Sequence, residues 1–213
     1  MKILTDSDRD IAEAEKILLA GGVVAFPTET VYGLGAISTS DKAVSKIFRV
    51  KNRPKFNPLI IHVENTEMAL KFCSFSEKAF LLAEKFWPGP LTIIAKKKTN
   101  IKISTLATAG LDTIAIRVPR DRIAQKLIRS VRAPIAAPSA NISGKLSCTT
   151  ADDIKEKLSE RIDGIILGAQ SELGLESTVI DCSSNACNLM RLGSIPLEEI
   201  QDFLNEKEIG GFN

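Results

Sequence analysis

Residues 21–35 read GGVVAFPTETVYGLG and residues 51–63 read KNRPKFNPLIIHV, and the reading of these two runs decides the architecture. Val23, Val24, Ala25 and Phe26 make an apolar β-type run that stops at Pro27, which has no N–H to give a ladder. The turn that follows, Thr28-Glu29-Thr30, is small, polar and rich in hydroxyls, and Tyr32–Leu34 reads as a second short extended piece. Lys51 and Arg53 stand at i and i+2, so in extended backbone they project to the same side. Pro54 biases Arg53 away from helical backbone because its ring crowds the preceding residue. A paired-cation edge facing a hydroxyl-rich turn suits a polyanion held beside a small polar molecule.

Outward from this centre the chain alternates between strand and helix patterns. Ile11, Ala14, Ile17 and Leu18 share one face of a helix expected from Ser7 to Ala20, which Gly21-Gly22 ends. Asp41 is placed as the cap of a helix through Phe48 that delivers the chain to Lys51. Leu59–Val63 is a predicted strand. Phe75 and Ser76 read as a staple and N-cap, Phe75 reaching Phe80, for a helix over 77–86. Trp87-Pro88-Gly89-Pro90 breaks that helix and is read as architecture, before a strand Leu91–Ala95. The cluster Lys96–Lys98 and the polar stretch to Gly110 read as an exposed loop. Further strands are expected at Ile114–Val118, Ile135–Ala137, Gly164–Leu167, Ser177–Asp181 and Asn188–Leu192. Helices are expected at Arg122–Ser130, Ala151–Ser159 and Leu197–Leu204. The strands exceed what simple βα alternation supplies. The fold class is therefore α/β (α+β mixed): one twisted open sheet of parallel and antiparallel strands flanked by helices. A single domain over 1–205 is expected, with a tail at 206–213.

The 213 residues carry 44% hydrophobic and 25% charged side chains, the balance of a soluble globular domain. Four cysteines form no CxxC pair, and a single histidine is available to join them at a metal, so they read as reduced and intracellular. No apolar run reaches the ~18 residues that a membrane span needs, and the expected location is the cytoplasm. The net charge of +2 hides an asymmetry, since residues 42–151 hold 20 Lys and Arg against 6 Asp and Glu. That excess reads either as solvated surface or as the lining of an anion-binding face.

No G-x-x-x-x-G-K-[ST] loop is present, so any nucleotide would be held by side-chain cations and hydroxyls. Three places offer them. Lys51 and Arg53 could grip phosphate as a point charge and a fork, or form a solvated basic loop. Ser139 and Asn141, again at i and i+2, follow a short apolar strand, where a ligand site and ordinary loop capping compete. Arg191 ends a predicted strand, and Gly193 two residues on permits close backbone approach.

The fragments PTETVYGLG, KNRP with NPLIIHV, WPGPLT, APSAN and ESTVID, in that order, resemble the YrdC-type family of threonylcarbamoyl-AMP synthases from about Gly21 to Ile195. The resemblance implies a twisted open sheet with a wide concave face, in the short single-domain form. It also implies that L-threonine, bicarbonate and ATP give L-threonylcarbamoyl-AMP and pyrophosphate, with Mg²⁺ accompanying the ATP. The product would serve a tRNA threonylcarbamoyl transferase complex. Carried over position by position, Lys51 and Arg53 are the catalytic cations. Arg53, Asn57, Thr113, Ser139, Ser147 and Arg191 touch ATP, with Lys51 and Asn141 completing the anion site. Thr30, His62, Arg117 and Ser177, with backbone of Ala137, build the threonine pocket, Arg117 facing the carboxylate. A structural salt bridge is the competing reading of Arg117, and a satisfied core histidine that of His62. Glu29 is a metal candidate by position alone. Two departures stand out: Pro119-Arg120-Asp121 lacks a histidine that family members often carry, and no proline stands at Leu146-Ser147-Cys148. The alternative function is a double-stranded RNA or tRNA-binding module working through the basic face. A scarcity of aromatic stacking residues weighs against that alternative. A third reading is a carbamoyl-transfer domain like those of hydrogenase maturation proteins, whose zinc-binding and acylphosphatase parts are missing.

Overall fold

A computed structural model describes residues 1–184 and 186–207. Among the described residues the elements run β1 (Lys2–Leu4), α1 (Asp8–Leu19), β2 (Val24–Phe26), β3 (Gly33–Ile37), α2 (Asp41–Lys51) and β4 (Ile60–His62). They continue with α3 (Thr66–Ala69), β5 (Cys73–Ser74), α4 (Glu77–Phe86), β6 (Leu91–Lys97), β7 (Thr113–Arg117) and α5 (Arg122–Val131). The last are β8 (Ile135–Ala136), α6 (Ala151–Leu158), β9 (Gly164–Ile166), β10 (Thr178–Asp181), β11 (Asn188–Arg191) and α7 (Leu197–Glu206).

The strands join into one mixed sheet in the order β1-β9-β2-β3-β8-β4-β7-β6-β10-β11, with β5 paired to β6. β9 runs parallel to β1 and β2, β4 to β7, and β6 to β10, while the remaining pairs are antiparallel. The expected fold class is the one observed. Alternation sends successive residues to opposite faces, and each face buries a core of its own. On one face Val23, Ala25, Ile61, Ile93, Ile116 and Ile180 pack in a single core with the apolar sides of α2, α4, α6 and α7. On the other, Val24, Phe26, Ile135 and Ile166 meet α1 and α5 through Ile11, Leu18, Leu127 and Ile128. That second core draws nothing from β4, β7, β6 or β10. The uncovered part of this face is the concave surface on which the cleft forms.

Local chemistry explains the element ends. Ser7, Ser40 and Ser76 each accept a backbone N–H from the first turn of their helices, and Thr150 forms a capping box with Asp153. Ser40 rather than Asp41 caps α2; Asp41 lies inside the first turn, and its carboxylate accepts from the Ser104 hydroxyl. The staple expected between Phe75 and Phe80 does not form. Phe75 stacks at a tilt on Trp87 with ring centroids 5.8 Å apart, and Phe80 is exposed. Trp87 is architectural as read: its ring N–H donates to the Leu91 carbonyl at 2.7 Å.

The stretch 96–110 is an exposed loop only in part, since 98–110 has no helix or strand but is anchored at several points. Lys96 and Lys97 continue β6 opposite Ser74 and Cys73 of β5, and Lys96 also faces Thr113 of β7. Further on, Ser104, Ala107 and Thr108 are buried, and the Ala107 carbonyl receives the Leu59 N–H at 2.8 Å. The four cysteines are buried thiols, with the sulfurs of Cys182 and Cys187 2.6 Å apart across the turn from β10 to β11. Among the described residues no helix is long and apolar enough to cross a membrane. Of the tail expected at 206–213, Glu206 ends α7 and Lys207 caps it, while 208–213 lie outside the described residues.

Candidate active site

A cavity of about 240 Å³ opens on the uncovered face, and its wall draws on six separated parts of the chain. The 28–33 turn supplies Thr28, Thr30 and Gly33, and the 53–62 segment supplies Arg53, Asn57, Ile60 and His62. β6 and β7 add Ile94, Ala115 and Arg117; the loop after β8 adds Ala137 and Ser139; and Glu176, Ser177, Val179, Met190 and Arg191 close the far side. Alternation selects them. Ile60 and His62 face the cavity while Leu59, Ile61 and Val63 enter the core, and Ala115 and Arg117 do so while Ile114 and Ile116 do not.

Arg117 is buried, and its guanidinium is gripped on three sides. Nε donates to the Gly89 carbonyl at 3.2 Å and Nη1 to Thr30 Oγ1 at 3.0 Å. Nη2 stands 2.8 Å from Glu29 Oε1 as an ion pair but outside hydrogen-bond alignment, so its N–H groups keep donor capacity. Thr30 Oγ1 is itself 2.8 Å from Thr28 Oγ1, whose hydroxyl donates to the Val31 carbonyl. The competing salt bridge is therefore present, and the same guanidinium keeps donor capacity on the wall of the cavity. The carboxylate of Glu29 also accepts the N–H groups of Arg120 at 3.1 Å and Asp121 at 3.3 Å. Burial pushes its pKa up, but the Arg117 charge and these donors outweigh burial and hold it below the usual glutamate value. Fully engaged in this way, Glu29 is not a free metal ligand.

His62 lies beside this pair, its ring edge-on to Phe26, and its buried Nδ1 has no hydrogen-bond partner. Burial, and then the Arg117 charge, drive its pKa down to about 3, so the ring is neutral at physiological pH. It is not the satisfied core histidine of the competing reading. Ser177 completes this part of the wall: its hydroxyl is 2.8 Å from Thr92 Oγ1 and accepts from Arg191 Nη2 at 3.0 Å. The Ala137 backbone is anchored by its N–H to the Ile60 carbonyl at 2.9 Å.

The other polar group of the cavity is cationic. Arg53 is tied to its own loop, donating to the carbonyls of Asn57 at 3.2 Å and Pro58 at 2.9 Å. Arg191 donates twice to the Ser177 carbonyl, at 3.1 and 2.8 Å. Burial, and then the proximity of Arg191, lower the Arg53 pKa, the mark of two guanidiniums facing one space. Gly193 permits this approach, because a Cβ there would sit 2.4 Å from Glu176 O, Ser177 C and Thr178 N.

Lys51 requires a correction. It is the last residue of α2, not part of an extended edge, and Asn52 reverses the chain in left-handed backbone at φ 51°. Lys51 and Arg53 consequently part company: Arg53 reaches the cavity, while Lys51 is 1% exposed and absent from its wall. The Lys51 ammonium donates to Ser139 O and Asn141 O, both at 2.6 Å, and to Asn141 Oδ1 at 3.0 Å, which uses all three of its hydrogens. Asn141 also stands behind the wall. Its Oδ1 accepts from Ser139 Oγ at 2.6 Å, and its amide donates to the carbonyls of Ile142 and Lys145. The two residues fix the Ser139 loop and present no free group to a ligand. Thr113 opens β7 opposite Lys96, four residues before Arg117, and Ser147 lies off the wall with its hydroxyl on Glu176. Among the described residues no cluster of three or more His, Cys, Asp or Glu could hold a metal.

Comparison with known proteins places the chain in a family. The family model described as Telomere recombination, which groups Sua5, YciO and YrdC, matches residues 16–193. The chain belongs to that family. It is 46% identical over 210 residues to the threonylcarbamoyl-AMP synthase of Pyrococcus abyssi, a match covering 94% of this chain and 61% of the relative. It is 45% identical over 199 residues to the threonylcarbamoyl-AMP synthase of Bacillus subtilis, covering 93% and 57%. The crystal structure of P. abyssi Sua5 complexed with L-threonine superposes with a TM-score of 0.93 at 44% identity, over 97% of this chain and 62% of that one. The chain thus spans about three fifths of the length of these relatives.

Proposed function

We propose that this chain makes L-threonylcarbamoyl-AMP from L-threonine, bicarbonate and ATP, releasing pyrophosphate. One observation carries the reading: a single uncovered cavity joins the Arg117, Thr30, His62 and Ser177 pocket to the guanidinium pair Arg53 and Arg191. The relatives' names and the threonine bound in P. abyssi Sua5 supply the chemistry. The threonine carboxylate takes the donor capacity left on Arg117, and its hydroxyl meets Thr30, His62 Nδ1 or Ser177. The amine, once carboxylated to a carbamate, attacks the α-phosphorus through oxygen, and pyrophosphate leaves. This asks for positioning and charge stabilisation rather than covalent participation by the protein. Arg53 and Arg191 answer the charge on the triphosphate, with Asn57 and Ser139 beside them. Mg²⁺ enters with the triphosphate as part of the substrate, as hard cations that keep much of their water commonly do. The working compartment is the cytoplasm, and the product serves threonylcarbamoylation of tRNA by a separate transferase complex.

The test is pyrophosphate release by the purified chain with each substrate omitted in turn. Release requiring threonine, bicarbonate and ATP together is expected, with formation of an adenylate sensitive to loss of Arg53. Release indifferent to threonine sinks the reading.

A further inference from the structure

Glu29 does not line the cavity, yet it governs the charge of the pocket behind it. Arg117 and Glu29 are buried to 4% residual exposure each, and they form an ion pair at 2.8 Å. The third ionisable group there, His62, is neutral at physiological pH. Within this cluster Glu29 cancels the charge of Arg117, while Arg53 and Arg191, the latter reaching Ser177 Oγ at 3.0 Å, make the far side of the cavity cationic. Glu29 is held independently of Arg117, by the N–H groups of Arg120 and Asp121 at the start of α5. Its own N–H and C=O neighbours add rigidity, the carbonyl accepting the Leu173 N–H at 2.9 Å. The negative charge is thus fixed in place and permanently present at neutral pH.

A buried site treats ligands by their net charge. A zwitterion brings a carboxylate and an ammonium together and leaves the total unchanged. A plain carboxylate of the same shape adds one net negative charge beside the buried Glu29 carboxylate, which is costly in a poorly solvated pocket. We infer that Glu29 is a specificity-determining residue: by neutralising Arg117 it matches the pocket to a zwitterionic amino acid and rejects the corresponding hydroxy-acid anion. The inference rests on the reading that this pocket receives L-threonine. Of the other charges, Arg53, Glu176 and Arg191 line the far side of the same cavity and act on both ligands alike, while Arg120 with Glu172 on the surface and Asp121 at the α5 cap lie outside its wall.

The experiment compares two ligands by calorimetry at neutral pH: L-threonine and (R)-3-hydroxybutyrate, which is threonine without its amine. Both present the same carboxylate to Arg117, so any loss of Arg117 positioning weakens the two together and cancels in their ratio. Wild type is expected to prefer threonine, and Glu29→Gln to shrink that preference about tenfold or more, because one charge at such short range has left the pocket. Glu29→Asp keeps the charge and is expected to keep the preference even if both affinities fall. An unchanged ratio in Glu29→Gln, or equal binding of the two ligands by wild type, overturns the inference. Should the Gln variant fail to fold, wild type decides alone. Binding of 3-hydroxybutyrate must then carry a proton in with it, read as a heat that varies with the ionisation enthalpy of the buffer, while threonine binding must not. Proton-free binding of the anion refutes the charge argument. If wild type binds neither ligand, the functional reading itself fails; if it binds threonine and only the ratio stays fixed, only the role of Glu29 fails.

Discussion

Lys51 and Arg53, two residues apart, do different work, and substitution separates them. Lys51→Met removes three hydrogen bonds from a charged donor and frees the Ser139 loop. The loss of those bonds outweighs the relief of a buried charge, for a net destabilisation of roughly 1–3 kcal/mol read by denaturant unfolding. Arg53→Ala, which touches only carbonyls of its own loop, is expected to shift stability by no more than about 0.5 kcal/mol while removing pyrophosphate release. A stable Lys51→Met protein with normal activity would contradict the anchoring role. His62 gives the second prediction at this scale. Its folded pKa of about 3 lies below its ordinary 6.5, so between those values the unfolded chain binds the extra proton. Stability is therefore full above pH 6.5 and is lost as pH falls through the window, at up to about 1.4 kcal/mol per pH unit. His62→Gln should flatten the unfolding curve between pH 6 and 4 by roughly 2 kcal/mol. An unaltered pH slope would mean the ring is already charged in the folded state.

Among the elements, the hairpin of β10 and β11 is the most exacting. Its Gly193 has main chain 2.4 Å from where a Cβ would stand, and no side-chain adjustment relieves a clash with backbone. Gly193→Ala should displace Arg191 and Ser177 together, costing roughly 2 kcal/mol or more and weakening ATP binding along with it. Normal nucleotide affinity in that variant would detach the hairpin from the site. At this scale the sequence was informative wherever a pattern ran for five or more residues. The helices announced themselves through Ser7 and Ser76, and the strands through alternation. β1, α3 and β5 escaped notice because two to four residues carry no period. Lys96 and Lys97 read as loop because their strand pairing uses main chain, to which their charges are no guide. In the site, Arg117, His62, Thr30 and Ser177 fell where motif and alternation put them. Lys51 did not, since one left-handed asparagine turned an expected strand edge into a helix end. Glu29 could not be read as the partner of Arg117, because that pairing joins positions 88 apart and leaves no local trace.

For the whole molecule, the uneven charge divides between binding and surface. Lys97 and Lys98 donate to the carbonyls of Leu111 and Leu70, and none of Lys96, Lys97 and Lys98 is part of the cavity wall. Replacing all three by Ala is expected to leave threonine-dependent pyrophosphate release within about twofold, since such surface charges are screened at physiological salt. Loss of activity would move the lysine cluster into the site. RNA affinity, if present, should instead fall steeply with salt and more gently in the variant.

The separated parts of the cavity wall have a consequence for synthesis. Thr30 waits for Arg117, Lys51 for the Ser139 loop, and Ser177 for Arg191, the last of these contacts to leave the ribosome. Domains are completed as units during translation. A nascent chain paused before β11 would have most of its sheet but would lack α7 and half its guanidinium pair, so capture of the nucleotide by both guanidiniums marks a finished domain. Substrate present in the cell therefore cannot template the early sheet. It can only hold shut, after release, a fold that the chain has already reached unaided.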